Sequence, residues 1–393
     1  MYLPGSIPTF VELLKNRGFQ TAAFIDDNPF ACSLLGYNRG FDFVRDYFAE
    51  SLRTRANDEA LPVADIRKLM PSAASAILHA LSSSPFPYFI KYLTSTALVQ
   101  PRTNTEQIIP DAIKFLKSTK SSSFVWLHLM DTHWPFSFPP RRNPLAKYKI
   151  LRARGMYSEI PGKHTYSAEI GELMEEMYDT SVRRLDIKLE SLFNSLRREG
   201  ILENSYVFLT SDHGEEFLER GALDHQENVY QEVAHVPLIV RQPEAEKRAI
   251  SEKMVSLLDI APTILQLENV SVPSRYEGTS IFQGNRGYCI SETVTPTVNK
   301  SAQTREAHYR APLGNFIYSI RNGKYTIIYD KDGEYKFFNR IEDAQEKKQI
   351  QVSNSTLHDL LGILRKHQSC SPNVEMKRIK ERIGRLKFDV SAK

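Results

Sequence analysis

Tyr206-Val-Phe-Leu-Thr-Ser-Asp-His-Gly-Glu-Glu216 joins a short apolar run to a carboxylate and an imidazole, and its reading decides the fold. Tyr206 to Thr210 follows a helical segment and is almost wholly apolar, which predicts a central parallel strand covered on both faces. Asp212 and His213 then lie just past its carboxyl end, where open α/β sheets bind their ligands. Side by side they suit a divalent cation, and Gly214 lets the backbone turn away sharply. The same four residues, Ser211 to Gly214, also read as a polar turn, so the neighbours must decide.

Working outward, Val182, Leu185, Leu189, Leu192, Phe193 and Leu196 recur at helical steps and predict an amphipathic helix from Tyr178 to Arg198 that leads into the strand. Downstream, Val236-Pro-Leu-Ile-Val240 is another short apolar strand. His225 is close enough in sequence to return to the Asp212 pocket, whereas His235, in an apolar approach to a strand, reads as structural. A second strand, Ser123-Phe-Val-Trp-Leu-His128, runs straight into Met130-Asp-Thr-His-Trp-Pro-Phe136, which gives His133 a strand-end position and a site role. Thr103-Asn-Thr-Glu106 has capping-box spacing before a helix through Ile109, Ile113 and Leu116.

Nearer the start, Phe10, Val11, Leu13 and Leu14 mark a helix closed by Gly18, and Thr21 to Ile25 follows as a strand. Asp26 and Asp27 end that strand; they could hold a cation, but Asn28-Pro29 makes them natural turn residues. A helix-then-strand opening means that the first strand of the unit is not in this chain. Residues 45–100 read as an irregular, mostly helical insertion, with Met70 to Leu98 as a cap over the sheet.

From Gly287 the pattern changes. Four short β-type runs, Tyr288 to Glu292, Phe316 to Ile320, Lys324 to Tyr329 and Tyr335 to Asn339, are separated by Asn-Gly and Asp-Gly turns and predict a small antiparallel sheet. Such a sheet is expected to dock on the main domain, since it has too little alternation for a core of its own. Leu357 to Lys366 and Met376 to Lys387 read as terminal helices. The expected units are a core at 1–285, a β subdomain at 286–345 and helices at 346–393.

With 41% hydrophobic and 25% charged residues the composition is that of a soluble globular protein, and a net charge of +4 over 393 residues gives no case for nucleic acid. Three scattered cysteines exclude a disulfide framework or a cysteine metal cluster and point to a reducing, cytoplasmic compartment. No apolar run reaches the length of a membrane span, and no signal peptide is seen. Oligomeric state is not readable.

These pieces together resemble the sulfatase family of the alkaline phosphatase superfamily. The resemblance rests on the order and spacing of Pro8 to Phe24, Gly36 to Asp42, His128 to Phe136, Ser211 to Glu216, His235 to Ile239, Ser256 to Leu265 and Asn322 to Tyr329. It implies a doubly wound α/β fold with a mixed sheet flanked by helices and a C-terminal antiparallel sheet. It also implies hydrolysis of small sulfate esters with a divalent metal, often calcium, with magnesium, manganese or zinc as alternatives. By family role, Asp212 and His213 are the metal ligands. His133 contacts the ester oxyanion, and His225 sends a second cationic or hydrogen-bonding group to it, so that catalysis is mainly electrostatic.

Two departures stand out. Family members open with a strand bearing metal-binding aspartates and then a nucleophile in Cys/Ser-x-Pro-x-Arg or a Thr/Ser segment; Cys32, in Phe30-Ala-Cys-Ser-Leu-Leu35, has neither the proline nor the arginine. Arg220 stands where many relatives carry histidine. The expectation is a sulfatase-like hydrolase lacking its N-terminal nucleophile segment and inactive or weakly active as written, with unpaired strand edges beside Thr21 to Ile25. A phosphodiesterase or phosphoglycerol-transferase type and a non-catalytic oxyanion- or metal-binding protein are the alternatives.

Overall fold

The computed structural model describes residues 7–28, 31–50, 103–134, 136, 149–150, 166–225, 228–243, 248–284, 286–296, 313–329 and 334–353, with parts of 356–363. Most of the insertion expected at 45–100, its cap at Met70 to Leu98, and the helix Met376 to Lys387 lie outside the described residues. Helix α1 (Phe10–Asn16) opens with a capping box: Thr9 Oγ1 accepts from the Glu12 amide at 3.1 Å, and Glu12 Oε2 accepts from the Thr9 amide at 2.7 Å. Gly18, at φ 97°, turns the chain into β1 (Gln20–Ile25).

Strand β1 is the middle of a parallel sheet, between β2 (Phe43–Asp46) and β3 (Ser123–His128). Ala22 to Ile25 have no exposed surface, as a strand bonded on both sides and covered by helices requires. Helix α2 (Thr105–Ser118) sets Ile108 and Ala112 on Ala22 and Phe24. Its expected capping box does not form: the helix begins one residue later than that spacing requires, with Asn104 as the N-cap and no side-chain cap, while the Thr105 hydroxyl binds the buried Asp131 carboxylate. Helix α3 runs Ala168–Arg198, ten residues longer than its periodicity from Tyr178 suggested. The extra turns bury Ile170, Leu173, Met174 and Met177 between surface glutamates.

The deciding run is β4 (Val207–Thr210), and it pairs antiparallel with β7 (Leu238–Arg241). Between them lie the hairpin of β5 (Glu216–Phe217) and β6 (Leu223–Asp224), and the single turn α4 (Gln231–Ala234). Strand β4 is therefore not the fully covered parallel strand expected: Val207, Phe208 and Leu209 are half-buried, and among the described residues it has one partner. Strand β3 likewise has one partner among the described residues and is half-buried throughout. Leu127 of β3 and Val207 of β4 pack on the same cluster of Ile109, Leu192, Leu196 and Leu202. Edges beside Thr21 to Ile25 are not open, because β1 is bonded on both sides; among the described residues β3 and β4, like the outer strands β2 and β7, each keep one edge without a partner.

Helix α5 (Ile260–Leu267) follows the Ser256/Asp259 capping box, and Arg286 clamps the Asp259 carboxylate. The C-terminal sheet is antiparallel in the order β11 (Tyr335–Asn339), β10 (Tyr325–Tyr329), β9 (Leu313–Asn322), β8 (Tyr288–Pro296). It docks on the core through buried polar contacts. Arg321 of β9 pairs with Glu346 at 3.0 Å and donates to Val229 O at 2.7 Å, while Glu346 Oε2 accepts the Gln231 amide at 2.9 Å. Arg220 belongs to the same junction, bonded to Glu232 and the Glu346 carbonyl with its guanidinium 4.2 Å above the Tyr230 ring.

Candidate functional site

The carboxyl ends of β3 and β4 converge. Past β4, Ser211 Oγ bonds His213 O at 2.6 Å, and the Gly214 amide donates to Val233 O at 2.8 Å, which ties the turn to α4. A Cβ on Gly214 would lie 2.1 Å from Glu232 O, so only glycine permits this approach. The turn leaves the Asp212 carboxylate exposed, with Oδ2 3.7 Å from His213 Nε2. His213 Nδ1 faces Gly214 O at 2.8 Å; a carbonyl only accepts, so Nδ1 carries the proton and the Nε2 edge remains for a ligand.

The donors fit a divalent cation as part of a shell. Two ligands on one ion lie about 3 Å apart when each bond is about 2.1 Å, and the Asp212–His213 separation needs only a small side-chain adjustment. A complete shell takes four or more ligands. The remaining ones must come from elsewhere, because Asp26 is used up structurally. Its buried carboxylate accepts from the amides of Asp27 at 2.8 Å, Asn104 at 2.9 Å and Met130 at 3.2 Å, and from Asn104 Nδ2 at 2.8 Å. These contacts lock the end of β1 to β3 and α2.

The structure brings three of the predicted side chains together as an imidazole cluster. His213 and His225 stack with ring centroids 3.9 Å apart, and His133 meets His225 edge-on at 5.6 Å. His133 Nδ1 is hydrogen-bonded to Trp134 O, leaving its Nε2 edge outward. His225 Nδ1 lies 2.7 Å from Asp224 Oδ1 and 3.5 Å from Glu215 Oε2. Burial lowers the pKa of His225, but Asp224 and Glu215 outweigh it and raise the value to about 10. His225 is thus an imidazolium at neutral pH, able to donate from Nε2 to an oxyanion.

Glu215 and Asp224 are the residues to which sequence reading assigned no role. Glu216, beside Glu215, is a structural clamp: its oxygens accept the Arg220 and Ala222 amides and Asn228 Nδ2, fixing the loop that carries Asp224 and His225. His128 is half-buried, with its Nε2 3.2 Å from Asn28 Nδ2. Its pKa is lowered by burial against the opposing charges of Asp212 and Asp26, which places the end of β3 beside Asp212. Asp131 turns away to Lys188 at 2.7 Å. Cys32 is buried at the start of a short turn, Ser33–Leu35. Tyr37 feels both groups: burial above all, then the charges of Asp212 and Cys32, raise its pKa. Arg220 lies at the junction with the C-terminal sheet, and His235 is exposed at the end of α4. No helix among the described residues is long and apolar enough to cross a membrane.

A family model described as Sulfatase matches residues 2–270, and one described as N-sulphoglucosamine sulphohydrolase, C-terminal, matches residues 219–368. An N-acetylglucosamine-6-O-sulfatase of Bacteroides thetaiotaomicron is 28% identical over 198 residues, 49% of this chain and 34% of that protein. Arylsulfatase K of Bos taurus is 29% identical over 195 residues, again 49% of this chain and 35% of its own length. The chain spans about a third of the length of these relatives. Among solved structures, the phosphonate monoester hydrolase of Agrobacterium radiobacter superposes with a TM-score of 0.62 at 17% identity, over 94% of this chain and 81% of that one.

Proposed function

The chain belongs to the sulfatase family of the alkaline phosphatase superfamily, and from that premise we propose that it carries the metal-turn and oxyanion half of a hydrolase of small sulfate esters. The fold is the alkaline phosphatase-like α/β fold with a C-terminal antiparallel sheet. The observation that carries the proposal is the meeting of Asp212, His213, His133 and His225 at the carboxyl ends of β3 and β4, between two strand edges that have no partner among the described residues. Asp212 and His213 hold a divalent cation, calcium being the first choice, which when bound would polarise an ester oxygen. The His225 imidazolium donates to the oxyanion from Nε2. His133 approaches the same oxyanion, with Nδ1 given to Trp134 O and its Nε2 edge outward.

Open, half-buried apolar edges in the middle of an α/β layer are unstable as they stand, because their amides and carbonyls and their apolar faces lack partners. A strand running between β3 and β4 would satisfy both edges and deliver a nucleophile beside Asp212. We assign that role to a segment outside the described residues. Without that segment the site is inactive or weakly active, since loss of a nucleophile that acts with its neighbours costs orders of magnitude in rate.

The names of the two curated relatives direct the choice of substrate to sulfated sugars and aryl sulfates. The test is turnover of nitrocatechol sulfate, with bis-nitrophenyl phosphate as comparison. The chain alone should show none, and a version extended upstream by a strand and a nucleophile-bearing turn should show turnover that falls in His133→Ala and His225→Ala. Robust turnover by the chain alone, abolished by Cys32→Ala, would overturn the division of the site. Preference for the phosphodiester would move the chain to the phosphoester branch.

A further inference from the structure

Behind the stacked imidazoles the structure places a second set of ligand atoms. One ligand atom each from Glu215, Asp224 and His225 lie within 4.8 Å of one another. Glu215 and Asp224 are each 8% exposed, so two carboxylates are out of water with one imidazole between them. Even with that ring protonated, the group carries an excess negative charge, and burying a net charge is costly unless something compensates it. Glu215 shows what is missing. Its Oε1 is buried with no hydrogen-bond partner among the described residues, and His225 at 3.5 Å is the one ion-pair partner it has among them. The neighbouring Glu216 is the internal contrast. More deeply buried, at 1% exposed, it has partners for both oxygens. The unused lone pairs of Glu215 therefore do not follow from crowding in this turn; they belong to a buried carboxylate that has an oxygen in the cluster.

We propose that Glu215, Asp224 and the Nδ1 edge of His225 hold a divalent cation of borderline type, Zn2+ or Mn2+, at a site separate from the Asp212–His213 turn. Two carboxylates and one imidazole match such ions better than Ca2+, which prefers oxygen alone. The ion neutralises the buried carboxylates and gives Glu215 Oε1 the partner it lacks. Binding displaces the Nδ1 proton of the His225 imidazolium to solvent, and the ion then supplies the positive charge and fixes the ring with Nδ1 inward, so that Nε2–H still points outward, as a ligand held from behind orients a histidine. The site follows from the cluster itself and does not depend on a cation at Asp212.

Calorimetric titration of zinc chloride and manganese chloride into the full 393-residue chain tests it, with Glu215→Gln, Asp224→Asn and Asp212→Ala alongside. Glu215→Gln keeps the side-chain shape, and asparagine keeps the positive φ of 88° that residue 224 adopts. The expected result is one binding event weakened at least about tenfold in each of the first two variants and retained in Asp212→Ala. A readout in the wild-type chain guards against misfolded variants: zinc should shift the Nδ1 nitrogen resonance of His225 and leave that of His133 in place. Affinity unchanged by Glu215→Gln, an event abolished equally by Asp212→Ala, or no uptake of either ion would each overturn the site. Loss of calcium binding at Asp212 with zinc binding intact would instead remove the first metal and leave this one.

Discussion

Replacing Glu346 by alanine should destabilise the protein and also loosen the site, although residue 346 is far from it in sequence. Glu346 is 1% exposed, and its oxygens receive the Arg321 Nε at 3.1 Å, Arg321 Nη2 at 3.0 Å and the Gln231 amide at 2.9 Å. Among the described residues, removing it leaves the Arg321 guanidinium, itself 7% exposed, with Ser319 Oγ and Val229 O. An uncompensated buried charge of this kind costs about 3–5 kcal/mol. The loss of the Gln231 contact then frees the start of α4, whose Val233 carbonyl holds the Gly214 amide and so the Asp212 turn. Urea unfolding of wild type, Glu346→Ala, Arg321→Met and the double variant measures this as a cycle. Glu346→Ala should lose about 3 kcal/mol or more and the double variant distinctly less, since removing both charges takes away the uncompensated one. A loss below about 1 kcal/mol in Glu346→Ala would refute the idea that this pair docks the sheet and props the site.

Two other outcomes follow from the same contacts. Gly214→Ala puts a methyl group 2.1 Å from Glu232 O; it should cost about 1–3 kcal/mol and weaken cation binding together with stability, and a variant with wild-type melting and metal affinity would contradict the close approach. The Arg39 hydrogen bond is the main cause holding the Glu12 carboxyl below its ordinary value of 4.5, against a smaller upward push from burial. Its contribution is therefore present above that value and disappears as the pH falls through the lowered one. Melting curves of wild type and Glu12→Gln should differ at neutral pH and converge in acid; a difference that persists in acid would assign the effect to packing.

The residues at the centre of the site were legible because they sit in local patterns. An apolar run ending in Asp212-His213-Gly214, and a second ending at His128 with His133 beyond it, mark two strand ends whatever the rest of the chain does. Strand pairing was not legible to the same degree, because it is a non-local choice: nothing within Tyr206 to Thr210 says that its partner is antiparallel β7 or that its other edge has none. Nor does Glu215-Glu216 reveal which glutamate faces the imidazoles. That depends on the β5–β6 register, which sets Glu216 opposite Asp224 and turns its carboxylate to the hairpin amides. The capping spacing of Thr103 to Glu106 misled because the helix starts at Thr105, one residue later than the spacing requires, with Asn104 in the cap position. The early turns of α3 were missed because glutamates at 169, 172, 175 and 176 interrupt the apolar rhythm of Ile170, Leu173, Met174 and Met177.

The central claim is that Asp212 and His213 form the metal turn at the end of β4, and calcium titration by calorimetry into wild type and Asp212→Ala measures it most directly. The account predicts weak but saturable binding in the wild-type chain, with affinity lowered at least about tenfold, or 1.4 kcal/mol, in the variant. Equal affinities in the two proteins would contradict it.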